Sequence, residues 1–291
     1  MPLSTPTYSL NIHGKLLCLN KPIVMGIVNV TPDSFYSANA HTTVTTAIDT
    51  IAQQLAQGAT IIDIGGASSK PNAAVVSVAD ELNRVLPVVE QAVKLFPNII
   101  ISIDTTSAHV AQATLDAGAS IINDISAGTH DPKMLTTVAQ YACLYILMHA
   151  QGTPSTMQNN PTYNNVATEV FQFFTERIAL VRQAGINDVV IDVGFGFGKT
   201  LTHNYELLNN LTHFNSLGVP MLVGVSRKSM LYKLLETTPE ESLNATTVAN
   251  TIALMQGANI LRVHDVKAAM EAVKIVGMMN SNLSGKTVCL H

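Results

Sequence analysis

Hydrophobic residues gather along this chain in eight short runs rich in β-branched side chains. They are IVMGIV from Ile23, TIIDI from Thr60, IIISI from Ile99, SIIN from Ser120, CLYILM from Cys143, DVVID from Asp188, PMLVGV from Pro220 and NILRV from Asn259. The runs are nearly continuous rather than alternating, as expected of parallel strands covered on both faces. Amphipathic stretches separate them. In one, Val44, Ile48, Ile51 and Leu55 fall at helical spacing, and Gly58 stands where it would end the helix. Three joints of the next kind repeat almost letter for letter: GATIID from Gly58, GASIIN from Gly118 and GANILR from Gly257. In each, Gly stops a helix and a strand begins at once. The pattern predicts an α/β fold in one domain over residues 1–291, with βα units closing into a (β/α)8 TIM barrel. Residues 1–20, with YSLNIHGKLLCL, predict a β-hairpin that turns at His13-Gly14 and covers the barrel bottom.

The loops are unequal. Those after predicted strands are long and polar, at residues 29–42, 65–77 and 149–165, and barrels carry their chemistry on that side. Composition narrows the ligand. With 47% hydrophobic and 12% charged residues in 291, a large core can be buried, and a net charge of −4 gives no basic field for nucleic acid or anionic lipid. Any anion site must be a local cluster. Cys18, Cys143 and Cys289 are too scattered for a disulfide framework or a metal site. The start, MPLSTPTYSL, has no basic or apolar leader region, and no run approaches ~18 apolar residues. These features predict a cytoplasmic protein without membrane spans.

Polar residues terminate all eight predicted strands: Asn29, Asp63, Asp104, Asn123-Asp124, His149, Asp192, Ser226-Arg227-Lys228, and Arg262 with His264. Taken singly, Asp63, Asp124 and Asp33 could each be a helix N-cap, and His149 could be a hydrogen-bonded structural histidine. Taken together, the groups predict a ligand at the barrel mouth, because burying each without a partner is costly. Asp63, Asn123 and Arg262 share one offset from their repeat glycines and should reach corresponding places. Asp104, Asn123 and Asp192, read as having no fixed cation between them, suit a flat nitrogen-rich heterocycle. Arg262, His264 and Asn29, on strands that become neighbours on closure, suit a phosphate or pyrophosphate. Lys228 falls between the two groups. GFGFGK from Gly194 lacks the Walker A spacing, and its glycines are expected to let backbone approach a ligand, with Phe195 or Phe197 as a wall.

These residues lie in motifs that resemble the dihydropteroate synthase family over about residues 10–280. In order they are MGIVNVTPDSF (25–35), DIGGASSKP (63–71), SIDT (102–105), INDI (122–125), MHAQGTPSTMQ (148–158), DVGFGFGK (192–199), GVSRKSM (224–230) and RVHDV (262–266). The resemblance implies a transferase of folate biosynthesis. It would condense 6-hydroxymethyl-7,8-dihydropterin pyrophosphate with p-aminobenzoate, giving 7,8-dihydropteroate and pyrophosphate. It also implies that Asp104, Asn123, Asp192, Lys228 and Met148 hold the pterin, and that Asn29, Ser69, Arg262 and His264 hold the pyrophosphate, with Mg²⁺ at Asn29. Phe35, Ser69, Lys70, Pro71, Phe197 and Ser226 would form the p-aminobenzoate site. Lys228, Arg262, His264, Asn29 and Asp104 would carry the catalysis. Sulfonamides would be inhibitors, and the chain would be a homodimer through its late helices.

The chain departs from the family pattern in two loops and at Val193, which replaces a usual Pro: SANAH follows Phe35 where a glycine-containing stretch is common, and GGASSKPN stands where GGESTRPG is usual. Ala67 removes a carboxylate, Asn72 replaces Gly, and Lys70 keeps the charge of Arg without its bidentate fork. These changes predict altered handling of p-aminobenzoate and of sulfonamides. Two other readings share the pterin-binding barrel: a non-catalytic or altered-specificity pterin-binding paralogue, and a methyltetrahydrofolate-corrinoid methyltransferase. The latter has no need of the Arg262-x-His264 pair.

Overall fold

A computed structural model describes residues 8–12, 14–31, 40–67, 76–152, 157 and 161–283. Strands β1 (Tyr8–Ile12) and β2 (Lys15–Leu19) form the antiparallel hairpin, pairing Ile12 with Lys15 across the turn. Gly14 adopts φ +77°, which favours glycine, and its N–H donates to Asn11 Oδ1 at 2.8 Å.

Eight parallel strands then close a barrel: β3 (Ile23–Asn29), β4 (Ile61–Gly65), β5 (Ile101–Asp104), β6 (Ile121–Asp124), β7 (Leu144–Met148), β8 (Val189–Asp192), β9 (Met221–Val223) and β10 (Ile260–Val263). β10 pairs with both β9 and β3. Helices α1 (Ala40–Ala56), α2 (Val78–Leu95), α3 (Ala108–Asp116), α4 (Met134–Tyr141), α5 (Val166–Gln183) and α6 (Leu201–Asn209) alternate with the strands. A 3-10 helix (Leu211–Leu217) precedes β9, α7 (Ser229–Tyr232) and α8 (Leu243–Met255) precede β10, and α9 (Val266–Leu283) closes the described chain. Among the described residues no helix is long and apolar enough to cross a membrane. The repeat glycines Gly58, Gly118 and Gly257 all take φ near +100°, so the three joints share a conformation as well as a spelling.

Two cores result, and the strands are buried on both faces. Val24, Ile62, Ile103, Tyr145 and Val263 point outward into the layer under the helices. Met25, Ile61, Ile121, Ile146, Val190, Leu222 and Ile260 point inward and fill the lower barrel. Leu10, Ile12 and Leu19 of the hairpin join this inner cluster, and Asn11 N–H donates to Asp188 Oδ1 at 2.8 Å, just before β8. The hairpin is therefore the floor of the barrel. Leu19→Ala should cost roughly 2–5 kcal/mol, as for other buried Leu truncations. A urea midpoint unchanged from wild type would show that the floor does not support the barrel.

Candidate active site

Side chains alternate along a strand, so every second one enters the barrel. Toward the C-terminal ends the inward positions turn from apolar to polar: Asn29, Asp63, Asp104, Asn123, Asp192 and Arg262. Above the inner apolar layer opens a cavity lined by Asp104, Asn123, Ile125, Met148, Asp192, Phe197, Gly224, Lys228 and Arg262.

The three residues at equal offsets from their glycines meet. Arg262 Nε donates to Asp63 Oδ2 at 2.6 Å, and Asn123 Nδ2 donates to the same oxygen at 3.1 Å. Arg262 Nη2 donates to Asp104 Oδ2 at 2.7 Å. This corrects the expectation that no fixed cation lies among the carboxylates. Barrel closure sets β10 beside β3, and the long arginine side chain reaches across to β4 and β5. It also gives Asp63 a role that the sequence motifs had not assigned. The strand runs past it to Gly65, so Asp63 is neither a strand end nor a helix cap, and it is fully buried. Because a carboxylate oxygen only accepts, Asp63 fixes which way the Asn123 amide is turned.

The charges shape one another. Burial pushes the Asp104 carboxyl up to about 7, with Arg262 opposing and Asp63 adding repulsion. Burial also raises Asp192, against the pull of Lys228 and of the Gly194 N–H, which donates to Asp192 Oδ1 at 2.8 Å. Burial lowers Lys228 to about 8, with Asp192 opposing. Lys228 Nζ donates to Phe195 O and lies 4.7 Å from the centre of the Phe197 ring. Asn29 reaches the same end of the barrel as Asp104. A Cβ added to Gly65 would lie 3.5 Å from Asp104 Cβ and 3.7 Å from Asn29 Oδ1.

Other candidates separate. The His264 backbone N–H donates to Ser226 Oγ at 3.2 Å, and Ser226 Oγ is 3.0 Å from His264 Nδ1, so Ser226 is brought to His264. Arg227 makes a two-pronged ion pair with Asp265 at 3.0 and 2.8 Å. Asp124 faces outward, where it accepts from Ser126, Gly128 and Tyr145 Oη and fastens its own loop. His149 is structural, with Nδ1 2.9 Å from Lys199 Nζ. Phe35, Ser69, Lys70, Pro71 and Asn72 lie outside the described residues.

The glycine loop also differs from expectation. A Cβ at Gly194 would stand 1.9 Å from His149 O, and one at Gly198 would stand 2.3 Å from Gln151 O. These glycines let backbone pack on backbone, not on a ligand. Phe195 is buried in the outer core, and Phe197 alone of the pair lines the cavity.

Residues 25–264 match the family model described as "Pterin binding enzyme". The chain is 46% identical to the dihydropteroate synthase of Escherichia coli (strain K12), covering 91% of this chain and 94% of that one. The chain belongs to the dihydropteroate synthase family. Its structure is similar to that of the Yersinia pestis dihydropteroate synthase solved with a sulfonamide drug, at TM-score 0.89, 43% identity and coverage of 94% and 100%. It is also similar to the dihydropteroate synthase of Xanthomonas albilineans in complex with 7,8-dihydropteroate, at TM-score 0.85, 38% identity and coverage of 94% and 99%. The synthase family thus accounts for nearly the whole chain. The corrinoid methyltransferase and non-catalytic readings give way to it.

Two outcomes test this geometry. Asp63→Leu strips one of the two carboxylate partners from a buried cation, and should lower stability by about 3 kcal/mol in chemical unfolding. An unchanged midpoint would mean that Asp63 does not neutralise Arg262. The second concerns His149, whose imidazole is pushed from 6.5 down to about 2 by burial, with the Lys199 cation adding. Between those pH values the unfolded chain binds the extra proton, so the residue's contribution is whole above pH 6.5 and is lost as pH falls. His149→Gln should flatten the acid limb of stability by roughly 1 kcal/mol per pH unit. Parallel limbs for the two proteins would refute it.

Proposed function

We propose that this synthase-family chain joins 6-hydroxymethyl-7,8-dihydropterin pyrophosphate to p-aminobenzoate, releasing pyrophosphate and forming 7,8-dihydropteroate. The observation that carries this reading is the inward ring of Asp104, Asn123 and Asp192 around one cavity, closed by Arg262 and Lys228. The carboxylates and amide would take the N–H groups of the pterin's amino-pyrimidine edge, and Met148 would lie against its face. Arg262 spends two of its five N–H donors on Asp63 and Asp104, leaving three to face an anion. It therefore belongs to both halves of the site, with His264 and Asn29 at the pyrophosphate end.

In the reaction the bond from the pterin methylene carbon to the pyrophosphate oxygen breaks, and its electron pair leaves with pyrophosphate. The amine nitrogen of p-aminobenzoate then forms the new C–N bond and gives up a proton. No protein nucleophile is required. Arg262 and His264 would hold charge as it grows on the leaving group, so they act mainly on the transition state. Asp104 and Asp192 would steady the electron-poor ring. Phe197 and Ser226, with Phe35, Ser69, Lys70 and Pro71, would receive p-aminobenzoate, and sulfonamides would compete there.

Among the described residues no group of three or more His, Cys, Asp or Glu could cage a metal. Mg²⁺ needs no cage, since it keeps several waters and takes substrate phosphate oxygens. The Asn29 amide oxygen fits it as a single protein ligand, and when bound it would neutralise charge on the pyrophosphate. The exposed apolar side chains of α8 and α9, including Ile252, Met255, Ile275 and Met279, would pair with a second copy of the chain. Light scattering at one-chain mass would exclude that pairing.

The decisive assay mixes the dihydropterin pyrophosphate with labelled p-aminobenzoate and follows dihydropteroate. Product should form, should fall on chelation and return with Mg²⁺, and Arg262→Met should slow turnover by about 10²-fold or more. Absence of product from the folded wild type would defeat the proposal. Because Lys70 lacks the fork of Arg, Lys70→Arg should change the KM for p-aminobenzoate and the sulfonamide inhibition constant. Identical constants would show that this departure is silent.

A further inference from the structure

The function proposed above leaves one buried lysine unused, and burial lowers its ammonium to about 7 against the pull of Asp192. Lys199 ends the glycine loop between β8 and α6, and only 3% of it is exposed. Its Nζ lies 2.9 Å from His149 Nδ1 and donates to Gly194 O at 2.9 Å, Phe197 O at 3.0 Å and His149 O at 3.3 Å. No carboxylate is among these partners. An ammonium has three protons, and here they are spread over buried carbonyl and imidazole acceptors. The imidazole is neutral, so it can accept.

Of the residues that Lys199 ties down, Phe197 lines the cavity and Gly194 bonds Asp192, which also lines it. Gly194, whose carbonyl it holds, donates its own N–H to Asp192. Phe197, whose carbonyl it also holds, presents its ring to Lys228 and the cavity. One buried cation thus links the end of β7 to both edges of the turn that aims Asp192 and Phe197. A different tie holds the far side of the same loop, where Tyr163 Oη donates to Gly198 O at 2.8 Å. That bond does not touch the Gly194–Phe197 turn.

We propose that Lys199 is a positioning residue for the reaction: its ammonium, clasped by His149 and the loop carbonyls, holds Asp192 and Phe197 in place for the pterin. It touches no substrate itself. The clasp does not reach Arg262 or His264, so the pyrophosphate end should be indifferent to it. This rests on the proposed function, and the wild type serves as its control: failure of wild type to bind a pterin would count against that function, not against the clasp.

The test measures binding of 6-hydroxymethylpterin and of inorganic pyrophosphate, and the steady-state KM of each substrate, in wild type, Lys199→Met and Tyr163→Phe. Lys199→Met should weaken pterin binding and raise the pterin-substrate KM by about tenfold, with pyrophosphate affinity changed by less than about twofold. Tyr163→Phe should lower the melting temperature and leave both affinities at wild-type values. Equal pterin affinity in Lys199→Met and wild type would overturn the proposal. So would a loss that strikes pterin and pyrophosphate alike, since that is what general loosening of the barrel produces. If Lys199→Met does not fold, Lys199→Gln takes its place under the same two criteria.

Discussion

A guanidinium inside a barrel must be surrounded by its counter-charges, and much of this site follows from how Arg262 meets that demand. Removing it from water is tolerable only because Asp63 and Asp104 both accept from it. The demand runs the other way as well. Asp63 is fully buried, and without Arg262 it would be a carboxylate left with only the Asn123 amide. The pair is oriented by necessity: Asp63 takes Nε and one proton of the Asn123 amide, so three strands far apart in the chain are locked at one oxygen. The inward carboxylates Asp63, Asp104 and Asp192 outnumber the cations Arg262 and Lys228, and burial raises both Asp104, to about 7, and Asp192 toward holding a proton. A ligand bringing N–H donors to this ring meets groups whose charge is already nearly balanced.

Much of this was legible in the sequence, for a physical reason. Parallel strands covered on both faces are largely apolar, so the eight runs stand out, and a helix commonly ends on a positive-φ glycine, so Gly58, Gly118 and Gly257 mark three of the joints. The equal offset of Asp63, Asn123 and Arg262 from those glycines even placed them at one level. What the spacing did not reveal was their mutual bonding. Offset fixes height in the barrel, but which side chains reach each other depends on side-chain length and on which strands end up opposite. Arg262 was assigned to an anion and Asp63 was left between cap and ligand, although each is the other's main partner.

The glycine loop failed to declare itself for a different reason. A glycine signals close approach, but not what approaches. Gly194 and Gly198 approach the carbonyls of His149 and Gln151, a contact between two loops that lie some 45 residues apart in the chain and become neighbours because β7 pairs with β8. Lys199 could be noticed only as the last letter of the motif. Its burial against His149 depends on the same pairing, and no local pattern encodes it.

The mouth is therefore built in two ways, and the difference bears on where this chain is free to vary. Asp104, Asn123, Asp192 and Arg262 sit on paired strands, and each is bonded to another group of the ring or to the glycine loop, so replacing any one leaves a buried partner unsatisfied. Ala67 stands past the end of β4, outside the strand ladder, where a substitution breaks no strand pairing. The departure at Ala67 falls on the second kind of position, while Asp104, Asn123, Asp192 and Arg262 keep the residues of the family pattern. That is the distribution expected if the ring residues are held by the requirements of folding as well as by any ligand they meet.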